Sequence, residues 1–583
     1  MSKKEDHHHE TSSVASGSQP HLEFYDPSNE SVWTRVGLTW ESFKKAPGTT
    51  GGQVVVGGNN VEDIEKIMAD APMLQQKMKA RHLTMISVGG SIGTGLFVGS
   101  GSALAAGGPA GVLIAWLLIG IMLINVTQAI GEISILYPVS GGFYTWAVRF
   151  LDPSFAFAMG WNYVFQWAVA LPLEITVAST TVKYWPNDVS LGVWITIFWI
   201  VIIIVSLFGT LGYAEEEFWS ACLRLIVVVM FIFIGIICIC GGGPDSGEYN
   251  HYIGGLYWHS PGAFANGFKG VCSVFVTAGT ELVGLAASET PNPRAAVPSA
   301  VKGTFWRITI IYITSLTIIG LLLPYTEERL TIGSGAGASP FVIALDRARI
   351  KGLNHFVNVT ICISVLSIGL SSVYAGSRTL TALAETGYAP RFFTYVDKSS
   401  RPLWSVAAIL LFAPLAYINL AEKGAIIFDW LVALSGLSTL VAWLSICLCH
   451  IRFRRAWKVQ GHSLDELPYR ALGGVWGSWF GVILVILVLI AQFYIAIWPI
   501  GGISDDPKKV AESFFQAYLA MPIIIVFYAI GIVWKRSTPQ RAHQINLESG
   551  RKSYYTAEEM NAWRAERRTA PIYVRIYRML FSY

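Results

Sequence analysis

Runs of about 20 apolar residues recur along this chain of 583 residues, and each is long enough to cross a bilayer core of about 30 Å. In hydrocarbon every backbone N–H and C=O needs an internal partner, which leaves helices as the form for such runs. The runs fill the middle of the chain and leave no room for a soluble catalytic domain. Only 14% of the residues are charged, against roughly 25% in a soluble globular domain. The fold class is therefore an all-α membrane protein. A net charge of +4 is too small to argue for nucleic acid. No His/Asp/Ser or metal constellation converges, so an enzyme is not expected, and neither a metal nor a cofactor is. The seven cysteines fall in or beside apolar runs without zinc spacing and read as ordinary packing.

Twelve transmembrane helices are expected, starting near His82, Pro109, Phe155, Leu191, Phe218, Phe268, Phe305, Phe356, Leu403, Ile426, Trp476 and Phe515. Residues 1–80 form a polar, largely disordered N-terminal tail, 81–534 the transmembrane domain and 535–583 a C-terminal tail. An even count puts both termini on one side. Arg378, Arg391, Lys398 and Arg401, then Arg452, Arg454, Arg455, Lys458 and Arg470, crowd two loops on that side and make it cytoplasmic. The long loop with Arg329, Arg347, Arg349 and Lys351 is the exception. Thr556 with Glu559 three residues on reads as the capped start of an amphipathic tail helix. Beyond it Tyr573, Arg575, Arg578 and Phe581 suit contact with the anionic inner leaflet or with the protein's own loops, and a plain solvated tail is the rival reading.

The first span carries Gly89-Gly90-Ser91-Ile92-Gly93-Thr94-Gly95. Each helical glycine costs roughly 1 kcal/mol relative to alanine. So many of them favour a broken helix, whose second half exposes N–H groups and a positive dipole end suited to a carboxylate. The rival reading is close helix–helix packing through small residues, which the spacing of Gly89 and Gly93 fits. Five spans later the theme returns in Phe275-Val276-Thr277-Ala278-Gly279-Thr280-Glu281. Matching breaks in two halves point to an inverted-repeat transporter. Charged residues at membrane depth are functional candidates by default. Here they are Glu132, Glu174 beside Pro172, Glu281 and Arg224.

These features together resemble the fungal amino acid permeases of the amino acid–polyamine–organocation superfamily, most of all the general amino acid permeases. The resemblance runs from about Met78 to Trp534. It is carried by Lys79 to Leu83, Gly90 to Phe97, Ser140 to Phe143, Leu171 to Glu174, Gly279 to Glu281, Pro291 to Arg294, Ser377 to Leu380, Arg401 to Leu403 and Leu434 to Ser438. It implies a LeuT-like 5+5 inverted repeat plus two extra helices. It also implies proton-coupled uptake of a broad range of L-amino acids at the plasma membrane, by alternating access. The substrate carboxylate then falls on Ser91, Ile92, Gly93, Thr94 and Gly95. The amino group and side chain fall on Phe275, Thr277, Gly279 and Thr280, with Glu174 and Ser435 nearby. Glu132, Glu174, Arg224 and Glu281 are the residues to ask about proton coupling. Cytoplasmic ubiquitin-ligase adaptors at the tails are expected partners.

The chain departs from the family pattern at three places. The sixth-span stretch is short by about five residues, more than one helical turn. Arg224 stands where relatives often have lysine; an arginine keeps its proton where a buried lysine can release it. Leu370 stands where an asparagine is common. These departures motivate an alternative, a permease-like amino acid sensor that binds without transporting.

Overall fold

The computed structural model describes residues 38–45, 80–89, 92–137, 143–275, 301–303, 305–332, 339–421, 424–503, 505–535, 540–548, 551, 556–569 and 571–574. Among them the regular elements are helical, and an isolated bridge joins Lys45 to Asp397. In chain order the helices used below are α1 (Ala80–Gly89), α2 (Ser100–Leu136), α3 (Phe143–Phe150), α4 (Pro153–Val182), α5 (Leu191–Leu207), α6 (Gly209–Ile239), α7 (Gly267–Val274), α8 (Thr314–Leu322), α9 (Pro340–Ala348), α10 (Leu353–Glu385), α11 (Leu403–Leu410), α12 (Gly424–Val459), α13 (Gly474–Ile497), α14 (Pro507–Tyr518), α15 (Ala520–Lys535) and α16 (Ala557–Arg568).

Among the described residues six helical stretches are long and apolar enough to cross a membrane, and α14 with α15, bent by 65°, makes a seventh. Their outer faces carry apolar side chains at helical spacing: Ile114, Leu117 and Ile121 on α2, and Ile483, Ile486 and Ile490 on α13, all exposed. Such stripes belong against lipid rather than water. The centre of the bundle is α4, which packs along α10, α12 and α15. It turns Asn162, Gln166 and Glu174 inward, all of them buried. Buried polar groups need partners, and here Gln166 donates to Thr439 Oγ1 at 2.7 Å while Asn162 accepts from Ser438 Oγ at 2.9 Å.

Most expected starts agree with the helices to within a few residues. At Gly108, where φ is +71°, the backbone leaves helical geometry just before Pro109, and a Cβ there would lie 2.6 Å from the Ala265 nitrogen. This is a boundary only glycine fits. The fifth span is the correction. It was expected from Phe218, but α6 begins at Gly209. The run Glu215-Glu216-Glu217 looks like a loop by charge. It stays helical because partners elsewhere in the bundle meet all three carboxylates, as described below.

Both tails contain packed segments. Residues 38–45 lie on the loop before α11: Tyr395 Oη donates to the Phe43 carbonyl at 2.8 Å, and the Arg401 guanidinium sits over the Phe43 ring at 4.1 Å. Thr556 and Glu559 form the reciprocal cap expected at the start of α16, at 3.0 and 3.2 Å. Arg564 on that helix donates to the carbonyls of Leu467 at 2.8 Å and Asp465 at 3.2 Å. α16 thus lies on the protein's own loop, while Arg575, Arg578 and Phe581 fall outside the described residues.

Candidate functional site

The first span is broken, and both readings of its glycines hold. α1 ends at Gly89, and helical geometry resumes at Thr94. Between them the Ile92 amide donates back to the Gly89 carbonyl at 2.9 Å. The first N–H groups of the second segment have no intrahelical acceptor. Packing is equally demanding. A Cβ on Gly89 would lie 2.1 Å from Ala221 Cβ on α6, and one on Gly93 would lie 1.8 Å from Ile368 Cδ1 on α10. The glycines let α6 and α10 close on the break, and the break presents backbone to what they carry.

Glu174 reaches the break directly. Thr94 Oγ1 donates to its carboxylate in a very short contact. Glu174 sits on α4 two residues after Pro172, buried, while Thr94 is half-buried. Gly369 on α10 faces Glu174, where a Cβ would make an ordinary contact at 3.7 Å, and its tighter neighbour is Ile202 Cδ1 at 3.1 Å.

Arg224 grips the other side of the break. It is fully buried. One terminal nitrogen donates to the Gly89 carbonyl at 2.7 Å and to Glu217 at 3.2 Å. The other donates to Ser220 Oγ at 2.9 Å and to the Ser364 carbonyl at 3.4 Å. Its Nε finds no acceptor among the described residues. The guanidinium therefore ties the last carbonyl of α1 to α6 and α10. Ser367 on α10 lies 3.0 Å from Glu216 and 2.5 Å from Glu217. Glu215 receives Arg81 at 2.5 Å and the buried His82 at 3.1 Å, both from α1.

Sequence reasoning passed over Glu216, Glu217, His82, Ser364 and Ser367. A signal for part of this was present: Glu217, Ser220 and Arg224 stand at i, i+3 and i+7, on one face of a helix.

The remaining candidates lie elsewhere. Glu132 on α2 is surrounded by donors. Its Oε2 accepts from Arg454 at 2.7 Å and from the Ala471 amide at 2.7 Å. Its Oε1 lies 2.5 Å from Arg454 Nε and 3.1 Å from His450 Nε2, close as ion pairs though not aligned as hydrogen bonds. Leu370 is buried beside Tyr213 and Tyr374, which stack at 4.2 Å. Phe275 is partly buried at the end of α7. Ser91, Thr277, Gly279, Thr280 and Glu281 lie outside the described residues, and Ser435 lies on α12 with its side chain outside them.

Comparison with known proteins gives a consistent picture. A family profile described as amino acid permease matches residues 82–544. Amino-acid permease inda1 of Hypocrea atroviridis is 49% identical over 564 residues, covering 95% of both chains. General amino-acid permease GAP1 of Saccharomyces cerevisiae is 47% identical over 548 residues, covering 90% of this chain and 89% of its own. Cationic amino acid transporter 1 of Schizosaccharomyces pombe is 46% identical over 501 residues, 84% of each chain.

Proposed function

The chain belongs to the amino acid permease family, and from that premise we propose that it is a plasma-membrane permease driving proton-coupled uptake of a broad range of L-amino acids. The observation that carries this reading is the contact of Thr94 with Glu174 across the first-span break. It joins the exposed amides of a helix start to a buried carboxylate from the centre of the bundle. A substrate carboxylate seats on the amides at Gly93, Thr94 and Gly95, helped by the helix dipole. Glu174 holds the Thr94 hydroxyl and with it the first turn of the second segment.

The architecture we propose is twelve spans in a 5+5 inverted repeat plus two, with both termini cytoplasmic. In that frame α1 is the half-helix that must swing for alternating access, and a substrate bound at the break is exposed to each side in turn. Arg224 sets the position of α1 through the Gly89 carbonyl. The sensor reading is not favoured, because relatives covered over nearly their whole length are named as permeases.

Uptake of labelled amino acids in permease-deficient cells tests this. Accumulation should rise as external pH falls and collapse with a protonophore. Saturable binding without accumulation would favour the sensor instead.

A further inference from the structure

The fifth span holds more acid than base. Glu216 and Glu217 are adjacent on α6, and the Ser367 hydroxyl lies within hydrogen-bond distance of both, at 3.0 and 2.5 Å. A serine hydroxyl has one proton to donate and lone pairs to accept with. It cannot donate to two carboxylates at once. One contact is satisfied if Ser367 donates to Glu217, and the other only if a protonated Glu216 donates to Ser367. The charge count says the same. Among the described residues the cation that touches the pair is Arg224, through Glu217 at 3.2 Å. Glu217 is fully buried and takes that charge, whereas Glu216 is partly exposed and has no contact with the guanidinium among the described residues. A second negative charge beside Glu217, with no cation in contact with it among the described residues, is disfavoured by its neighbour's like charge, and such groups take up a proton instead.

We propose that Glu216 and Glu217, bridged by Ser367, hold an exchangeable proton that couples transport to the movement of α1. This rests on the proton-coupled reading above. With the proton on Glu216 the trio of Glu216, Glu217 and Arg224 is neutral, and Arg224 is free to hold the Gly89 carbonyl at 2.7 Å. When Glu216 gives its proton to water, one net negative charge appears beside the guanidinium. Arg224 is drawn to the two carboxylates, its bond to Gly89 weakens, and α1 is released. Reprotonation from the other side restores the grip. The arginine at this position cannot carry the proton itself, and the pair beside it supplies what the arginine lacks. Among the described residues the surrounding charges are accounted for. Glu215 on the same helix is engaged by Arg81 and His82 of α1. On α6 Tyr213 meets Ser371 of α10 at 3.2 Å. Arg378 of α10 lies over Tyr374 and donates to Thr210 at 2.7 Å. Glu174 of α4 holds Thr94.

The full-length protein in permease-deficient cells and in proteoliposomes tests this, with Glu216→Gln, Glu217→Gln and Ser367→Ala. Glu216→Gln leaves Glu217 for Arg224 and keeps the trio neutral, so Arg224 stays on the Gly89 carbonyl. Accumulation against a gradient should be lost, and the counterflow exchange of preloaded amino acid that remains should be slow and independent of pH. Glu217→Gln removes the carboxylate that Arg224 touches and should lower abundance as well as accumulation. In Ser367→Ala the protonated state loses two hydrogen bonds and the deprotonated state one. The pH midpoint of uptake should therefore move to lower pH, by about half a unit. Glu216→Gln that accumulates substrate with the wild-type pH profile overturns the proposal. If the glutamine variants fail to reach the membrane, Ser367→Ala decides: lower uptake at every pH with an unmoved midpoint is a structural role only, and overturns it. Wild-type accumulation that ignores the proton gradient overturns the proton-coupled reading itself, a different result from the loss of coupling in the variants alone.

Discussion

Two buried clusters in this bundle each join glutamate to arginine, and they are built to opposite rules. At Glu132 a single carboxylate faces Arg454, His450 and the Ala471 amide. At Arg224 two carboxylates share one guanidinium and the Ser367 hydroxyl, and the guanidinium also meets Ser220 and the carbonyls of Gly89 and Ser364. The first is donor-rich for its single acid, and the second has two acids for one arginine. A carboxylate matched by its own arginine acts as an anchor, here tying α2 to α12 and to the loop before α13. Two carboxylates that share one arginine have room for a proton and for two arrangements of the cation. Both clusters are arginine–glutamate clusters by composition, and the number of acids per arginine separates them.

The largest expected effect comes from removing the scarce cation. Arg224→Met leaves Glu217 buried without a partner and frees the Gly89 carbonyl. Breaking a buried pair from one side costs about 3–5 kcal/mol. The variant should show sharply lower abundance and no uptake. Arg224→Lys keeps the charge but not the fork that reaches Gly89, Glu217, Ser220 and Ser364 together. It should restore abundance before it restores transport. If Arg224→Met is well folded and merely slow, the guanidinium is not holding the cluster together.

The donor-rich cluster should respond in kind but not in pH. Glu132→Gln removes the charge that Arg454 and His450 share, a loss of about 2–3 kcal/mol for hydrogen bonds to a charged group. Thermal stability in detergent should fall while the pH midpoint of residual uptake stays where it was. A moved midpoint would erase the distinction between the clusters and return Glu132 to the coupling machinery.

A smaller effect tests whether the break is held by packing as well as by charge. Gly89→Ala puts a methyl 2.1 Å from Ala221 Cβ and 2.8 Å from Ala221 Cα, neither of which can turn aside. Overpacking of this kind costs about 1–3 kcal/mol. Uptake should fall and recover in part in the double variant Gly89→Ala with Ala221→Gly, which removes the Cβ and keeps the Cα, measured as transport rate per molecule at the surface. Without such recovery, the glycine is needed for backbone conformation rather than for the approach of α6.

The sequence showed the break and not its surroundings, for a physical reason. Glycine density acts locally, so Gly89 to Gly95 announces a weak helix without reference to the rest of the chain. Glu174 was legible because a carboxylate beside a proline is costly in an apolar run, and both features are visible within four residues. Glu215 to Glu217 fall just before Phe218, where the fifth span was expected to start. Three adjacent acids are tolerable in a helix only where partners converge, and those partners are Arg81 and His82 from over 130 residues away and Ser367, which stands 150 residues from Glu217. Ser367 is one of several serines along α10, with Ser364, Ser371 and Ser372 beside it. Nothing in its neighbourhood along the chain marks it. Tertiary proximity chose it.

The smallest effect concerns the loop that the donor-rich cluster anchors. Glu132 holds that loop at Ala471, and Arg564 of the tail helix holds it at Asp465 and Leu467. The two grips differ in burial. Glu132 is fully buried, whereas Arg564 keeps a quarter of its side chain exposed. The contacts of a partly exposed cation are worth on the order of 1 kcal/mol. Arg564→Ala should therefore leave stability within that range and leave uptake and its pH profile unchanged. It should also make α16 cleave faster in limited proteolysis, because the helix loses its hold on the loop. Faster cleavage with unchanged transport would mean that the loop is set by Glu132 and that the tail only rests on it. A shift in the pH profile would mean that the tail, the loop and Glu132 move together during transport, and the anchor would then be a moving part like the cluster at Arg224.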